Sequence, residues 1–315
     1  MANVPKIIHQ MWLDEKNAHT PHPPEKYKNY PGYIQRLKDL HPDYTYMWWD
    51  RAKCEKLLAR TDLAYFRKIY ESMPRIIMKC DFMRYVILWL FGGYYFDLDT
   101  KFRRRLPEKW ENDELGIFHE PPTMTGGKYP HLFEVTGFTT NISNGLLFSQ
   151  LKHPLWLAVI DEVDKRIQRN GQNCSFDEVI WITGPGMLTA VCMDTGYIKQ
   201  AKSPCYFFAL RHTGERWKCD RGPECENNHY CSLEEAENSI AVNTWNEGTQ
   251  WYLEDVKIWL AWDLIKAIIL TVIICIILWI ALWSWPYFTE RSINKTTAPI
   301  QKDDFIHVYS AKMIT

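Results

Sequence analysis

Asp81-Phe-Met-Arg84-Tyr85-Val-Ile-Leu-Trp-Leu-Phe-Gly92-Gly93-Tyr-Tyr95-Phe-Asp97-Leu-Asp99-Thr100 passes from one regular element into another in a single run. Phe82, Tyr85, Val86, Leu88 and Trp89 recur at helical spacing, which predicts a helix over Cys80 to Phe91. Asp81 and Arg84, three apart, are neighbours on one face of it. Gly92-Gly93 ends the helix, because glycine tolerates the left-handed backbone that a helix end needs. Tyr94, Tyr95 and Phe96 are strand formers. If the strand continues, Asp97 and Asp99 share one of its faces, since side chains alternate. Two carboxylates held that close repel unless a cation lies between them or one is protonated. A hard divalent ion carrying a diphosphate is the guest this pattern predicts.

Outward from this run, Lys6 to Leu13 reads as a buried strand, and Tyr44 to Trp49 as a second strand leading into Asp50. His153-Pro154 opens a helix running through about Gln168, with proline in the first turn and Lys165, Arg166 and Arg169 towards the far end. Thr183-Gly184-Pro185-Gly186 makes a tight turn. Its free amides would face an anion, or it is an ordinary loop before a helix.

The run resembles the sugar-transferase family with a DXD motif. Its pattern is Asp-x-x-Arg-Tyr, a hydrophobic stretch, then Gly-Gly-x-Tyr-x-Asp-x-Asp. Asp81, Arg84, Tyr85, Gly92, Gly93, Tyr95, Asp97 and Asp99 match it. The family takes in yeast-type initiating α-1,6-mannosyltransferases and mannosyl-inositol-phosphoceramide synthases, with clostridial glucosylating toxins as distant kin. Val4-Pro5-Lys6-Ile7-Ile8-His9-Gln10-Met11-Trp12 is similar to the family's first strand, Asn141-Ile-Ser-Asn144-Gly145 to its acceptor-side strand, and Thr183-Gly-Pro-x-x-Leu-Thr to a third motif.

The resemblance implies an α/β fold, a GT-A-type nucleotide-sugar-binding sheet flanked by helices. It implies a metal-dependent, retaining hexosyltransferase using Mn2+ or Mg2+, with mannose from GDP-mannose favoured. His9, Gln10, Trp12, Tyr85, Gly93 and Asn144 would line the donor site, with Trp12 stacking on the base. Arg84 and Asp81 would hold the donor sugar and phosphates, arginine offering a planar fork to oxygens. Asp99 would be the direct metal ligand. Asp97 would bind sugar or ribose hydroxyls, or the metal through water. The family's closing histidine has no counterpart: Asn243 stands in its place, and Asn243, Asn246 and Glu247 all offer oxygens suited to the metal.

The chain has 315 residues and a formal charge of −1, so no basic excess points to nucleic acid. Ala267 to Trp285 carries no charge, and about 20 apolar residues cross a bilayer. Trp259 and Trp262 precede it, and Trp279, Trp283 and Trp285 crowd its end as interfacial aromatics do. Trp251 to Lys266 would lie along the interface. The expected layout is a catalytic domain over 1–257, an interface and transmembrane helix over 258–286, and a polar tail over 287–315. No signal peptide is expected, because Met1 to Met11 already reads as strand.

Orientation stays open. Lys257 and Lys266 precede the span, Arg291 and Lys295 follow it, and family habit is lumenal, in the Golgi or endomembranes. Cys205, Cys219, Cys225 and Cys231 would be disulfides in a lumen and free thiols, or less readily zinc ligands, in the cytosol. Asn141, Asn173 and Asn294 head glycosylation sequons; a glycan on Asn141 would crowd a predicted site.

A domain tethered close to a bilayer suits a membrane-associated acceptor, inositol-phosphoceramide or a glycan. The alternatives are a catalytically inactive GT-A-fold membrane protein acting in binding, or a metal-dependent phosphohydrolase built on Asp97 and Asp99.

Overall fold

The structure, a computed structural model, describes residues 3–25, 27–120, 141–170, 175–210, 215–216, 229–243 and 265–280. The chain divides into two units, Met1–Tyr252 and Leu253–Thr315. The described elements of the first unit are, in order, β1 (Ile7–Met11), α1 (Tyr30–Leu40), β2 (Thr45–Trp49), α2 (Arg51–Leu58), α3 (Ala64–Ser72), α4 (Ile76–Phe91), β3 (Gly93–Phe96), β4 (Thr100–Phe102), β5 (Leu115–Gly116), β6 (Leu146–Ser149), α5 (Pro154–Asn170), α6 (Phe176–Ile182), α7 (Pro185–Asp194), α8 (Cys205–Phe208), α9 (Leu233–Asn238) and β7 (Ala241–Asn243).

Five strands form one mixed sheet in the order β2-β1-β3-β6-β5. β1 runs parallel to both β2 and β3, whereas β6 is antiparallel to β3 and to β5. The chain leaves β1 for β2 on one side and returns to β3 on the other. Strand order therefore reverses between β1 and β3, and in open α/β sheets ligands bind beyond the carboxyl ends of the strands at such a point. Trp12 follows β1 there, and Asp97 follows β3.

Alternation along the strands divides the core in two. Tyr95 and Leu147 enter the cluster built with α2 to α7, around Met78, Phe82, Val86, Trp156 and Leu188. Tyr94, Phe96, Leu146 and Phe148 enter the opposite cluster with Leu37, Phe102, Trp110 and Phe207. The mixed α/β sheet with flanking helices is thus present.

Local chemistry explains several boundaries. Asp50 caps α2 by accepting from the Lys53 amide at 2.8 Å. Ser175 and Ser232 each close a capping box with a glutamate three residues on. Gly92 and Gly93 hold φ of 62° and 85°. A Cβ on Gly93 would stand 2.5 Å from the Ile7 carbonyl oxygen, so only glycine lets β3 lie this close to β1.

Two expectations need correction. Asp97-Leu98-Asp99 does not continue the strand: β3 stops at Phe96, and the Thr100 amide donates to the Asp97 carbonyl across a turn. Strand alternation therefore does not set the relation of the two carboxylates. The amides of Thr183 and Gly184 do not face open space, because both donate to the Val179 carbonyl and close α6.

The expected membrane helix is described only over 265–280. In the second unit residues 265–280 are helical and exposed, but among the described residues no helix is long and apolar enough to cross a membrane. The remainder of the expected span, 281–285, and most of the expected interface segment lie outside the described residues, as do Asn246, Glu247, Cys219 and Cys225.

Candidate active site

Helix α4 carries two charges into the core. Asp81 and Arg84 are 5% and 4% exposed, and their facing atoms, Oδ1 and Nη2, are 2.9 Å apart. Two buried ions cost several kcal/mol each in lost hydration unless further hydrogen bonds complete them. Most of those bonds are present, Arg84 Nε being a buried atom without one. Asp81 also accepts from the Asn144 side-chain amide and the Thr183 hydroxyl, both at 2.9 Å. Arg84 Nη1 donates to the Asn144 carbonyl at 2.7 Å and reaches both Asp97 oxygens at 3.2 and 3.3 Å. The Tyr95 hydroxyl donates to Asp97 Oδ1 at 2.9 Å, and the guanidinium lies 4.9 Å from the Tyr95 ring centroid. Tyr85 donates to the Thr183 carbonyl at 2.9 Å.

Burial works against the Arg84 charge, but the carboxylates of Asp97 and Asp81 outweigh it and hold the guanidinium protonated. Burial pushes the Asp81 carboxyl up to about 6, against the pull of Arg84, Thr183 and Asn144. Asp81 is therefore ionised at neutral pH and protonates in mild acid. The Asp97 side chain is 35% exposed. The network thus runs from a sealed interior out to a carboxylate that water and ligands reach.

Gly145 seats that carboxylate. Its carbonyl accepts the Asp97 amide at 2.9 Å, and a Cβ there would collide with Asp97 Oδ2. The small sheet β4–β7 pairs Thr100 with Asn243. It brings Asn243, remote in sequence, beside the residue that follows Asp99. Asp97, Asp99 and Asn243 are oxygen donors of the kind Mn2+ and Mg2+ prefer, so the donor chemistry of the residues fits such an ion. The one described cluster of three potential ligand groups lies elsewhere, at Cys205, Cys231 and Glu235. Cys205 and Cys231 are joined in a disulfide, which leaves no thiolates to bind metal.

The N-terminal residues part company. Trp12 joins Tyr27, Tyr30, Tyr33, Ile34 and Trp48 around Leu98, the residue between the two acids. The Tyr27 and Tyr30 rings stack at 5.0 Å and 4°. Gln10 is buried, bonds the Asp97 carbonyl at 3.5 Å and accepts from the Tyr46 hydroxyl at 3.1 Å. His9 is sealed: Nδ1 accepts from Trp49 Nε1 at 3.2 Å, and Nε2–H donates to the Gly92 carbonyl at 2.9 Å. Burial lowers it to about 4, so the ring is neutral and holds the helix end beneath the site. Asn141 is also buried, 1% exposed, where a glycan has no room.

Sequence reasoning missed three contributors. Thr183 and Tyr95 lay within matched motifs, but the Thr183 turn was read for its amides and Tyr95 as a strand former. Gly145 stood at the small-residue position of its matched motif, which gave no hint that it seats Asp97.

Residues 28–117 match the family described as the glycosyltransferase sugar-binding region containing DXD motif. The match ends before Asn144, Thr183 and Asn243. Inositol phosphoceramide mannosyltransferase 3 of Schizosaccharomyces pombe is 32% identical over 60% of this chain and 45% of its own length. Mannosyl phosphorylinositol ceramide synthase CSH1 of Saccharomyces cerevisiae is 29% identical over 60% and 42%. The initiation-specific alpha-1,6-mannosyltransferase of Candida albicans is 34% identical over 35% and 28%. The chain spans about half the length, or less, of these relatives. Among solved structures, PaToxG glycosyltransferase is similar at 16% identity and a TM-score of 0.41, covering 62% of this chain and 70% of that one, too slight a likeness to carry an argument.

Proposed function

We propose that this protein is a metal-dependent glycosyltransferase, a mannosyltransferase, that moves mannose from a nucleotide sugar to a membrane-associated lipid or glycan acceptor. One observation carries the reading: the buried Asp81–Arg84 pair of α4 is wired to Asp97 at the carboxyl edge of the sheet. A merely structural ion pair has no need of a third, half-exposed carboxylate at the ligand edge. The match over residues 28–117 and the printed names of the relatives support the sugar class.

In this reading Asp99, with Asp97 and Asn243 close in the fold, holds Mn2+ or Mg2+, which supplies a Lewis acid for the departing diphosphate. Arg84, charged and fixed by Asp81, positions Asp97 and offers positive potential to the donor. Asp81 and Asn144 orient Arg84. The aromatic cluster around Leu98 supplies an apolar wall on which a base stacks. GDP-mannose is the favoured donor and inositol-phosphoceramide the favoured acceptor. The Cys205–Cys231 disulfide supports an oxidising, lumenal endomembrane setting.

The test is donor hydrolysis and transfer by the full chain with a panel of nucleotide sugars, with and without Mn2+. Metal-dependent turnover of GDP-mannose is expected. Folded protein that binds Mn2+ yet turns over no donor, with lipid acceptor supplied, overturns the reading.

A further inference from the structure

We propose that a cavity at the amino edge of the sheet, remote from the carboxylates of the candidate active site, binds the phosphate ester of a polyol the size of a monosaccharide. The proposal goes beyond the transferase reading, which makes no use of this cavity.

The cavity has a volume of about 310 Å³ and is lined by Lys109, Trp110, Asp113, Lys202, Ser203 and Tyr206. Three segments meet there. Lys109 and Trp110 belong to a short 3-10 turn over Glu108–Asn112, and Asp113 follows it in extended conformation towards β5. Lys202 and Ser203 come from a segment laid parallel to the chain just past β5. The Lys202 amide donates to the Ile117 carbonyl at 2.8 Å, and the His119 amide to the Lys202 carbonyl at 3.1 Å. Tyr206 belongs to α8.

Strand register places Asp113 far from Asp97. Leu115 of β5 and Gly93 of β3 both pair with Ser149 of β6, so β5 and β3 start level and run in one direction. Asp113 stands two residues before that level, and Asp97 four residues beyond it. At about 3.3 Å per extended residue, the two lie about 20 Å apart along the strands.

The lining decides the class of ligand. The buried Trp110 indole forms one wall and meets the Tyr206 ring edge-on at 5.2 Å. Lys202 Nζ bonds Asp113 Oδ2 at 2.7 Å and lies 6.0 Å from the Trp110 ring centroid. An ammonium group has three donors, so that pairing leaves Lys202 with donors to spare. Lys109 is exposed, and no described residue pairs with it. Ser203 Oγ accepts from the Cys205 amide at 3.2 Å, which leaves its hydroxyl hydrogen to donate. Two ammonium groups thus face one carboxylate, and donors outnumber acceptors. Such a lining suits an anionic ligand that chiefly accepts, and charge-assisted bonds to phosphate oxygens are the strong ones. The aromatic wall and the second Asp113 oxygen suit a hydroxylated ring attached to that phosphate. The volume lies at the small end of ligand cavities. It suits a six-membered ring with its phosphate rather than a whole nucleotide sugar.

The test is titration calorimetry on the full chain. The probes are myo-inositol 1-phosphate and glucose 6-phosphate, with myo-inositol and inorganic phosphate as controls. The variants are Lys109→Gln and Lys202→Gln, with Lys56→Gln, an exposed lysine of α2, as the charge control. At least one ester is expected to bind tenfold or more tightly than either control compound. Each cavity variant should weaken it at least tenfold, and Lys56→Gln should leave it within twofold of wild type. Sedimentation with phosphatidylcholine vesicles, with and without phosphatidylinositol, separates the two sources of such an ester. Phosphatidylinositol-dependent binding that Lys109→Gln abolishes assigns a lipid headgroup, and ester binding without it assigns a free metabolite. No binding of an ester in solution or on vesicles overturns the proposal. So does an ester no tighter than inorganic phosphate, binding unchanged in either cavity variant, or equal weakening in Lys56→Gln. None of these measurements depends on turnover, so failure of the transferase reading leaves the outcome intact.

Discussion

At the scale of single residues, Arg84 is the hinge of the arrangement. Its guanidinium meets Asp81, Asp97 and the Asn144 carbonyl, so its removal leaves Asp81 without a counter-ion in the core. Arg84→Met is expected to lower the unfolding free energy by about 3–5 kcal/mol, the usual result of breaking a buried pair, read by urea denaturation. Asp99→Asn should abolish turnover, by roughly a thousandfold or more if it holds the metal, with Tm within a few degrees of wild type; undiminished turnover removes its metal role. Glu120 supplies a pH signature. Its folded value is raised by burial from 4.5 to about 7, so the extra stability is present below about pH 4.5 and is lost as pH rises through 7. At ~1.4 kcal/mol per unit this is about 3 kcal/mol. Glu120→Gln should therefore gain on the wild type by about that amount between pH 4.5 and 7.5. Parallel urea curves for the two proteins at both pH values would refute it.

At the scale of elements, the join between α4 and β3 fixes how far the carboxylates stand from the buried pair. Gly93, at φ 85° and with a Cβ site 2.5 Å from the Ile7 carbonyl oxygen, tolerates no side chain. Gly93→Ala should cost more than the ~1 kcal/mol of an ordinary glycine exchange, because positive φ and a backbone clash combine. Far-ultraviolet thermal melts measure it, and an unchanged Tm contradicts the packing of β3 on β1. Gly145 acts on function instead. A methyl there drives against Asp97 Oδ2, so Gly145→Ala should reduce kcat at least tenfold while shifting Tm less than Gly93→Ala does. The ordering of the two variants in Tm and in kcat is the test.

At the scale of the whole molecule, the described residues carry one cross-link, Cys205–Cys231, with a sequence separation of 26. Closing a loop of that length stabilises a folded chain by about 3–4 kcal/mol in the loop-entropy estimate. Cys205→Ala with Cys231→Ala should lower Tm by several degrees, and reductant should lower the wild type at least as much. A wild type indifferent to reductant would remove this cross-link from the stability of the α8–α9 region.

The sequence by itself determined the elements and the motif. The helix-glycine-strand unit, the first two strands, the helix after His153 and the Asp81–Arg84 neighbourhood are all local, set by periodicity, glycine conformation and i,i+3 spacing within one run. Tertiary structure decided what the motif's members do. Asp97 and Asp99 looked like one face of a strand. Their chain turns instead, because the Thr100 amide bonds the Asp97 carbonyl and Thr100 pairs with Asn243 in β7. The Thr183 hydroxyl, not the amides of its turn, reaches Asp81, since α6 consumes those amides. His9 proved to be an internal brace because both its nitrogens find partners from other elements. Local pattern specifies how a segment folds, while the partner of a buried polar atom comes from distant segments whose meeting only the packed sheet fixes.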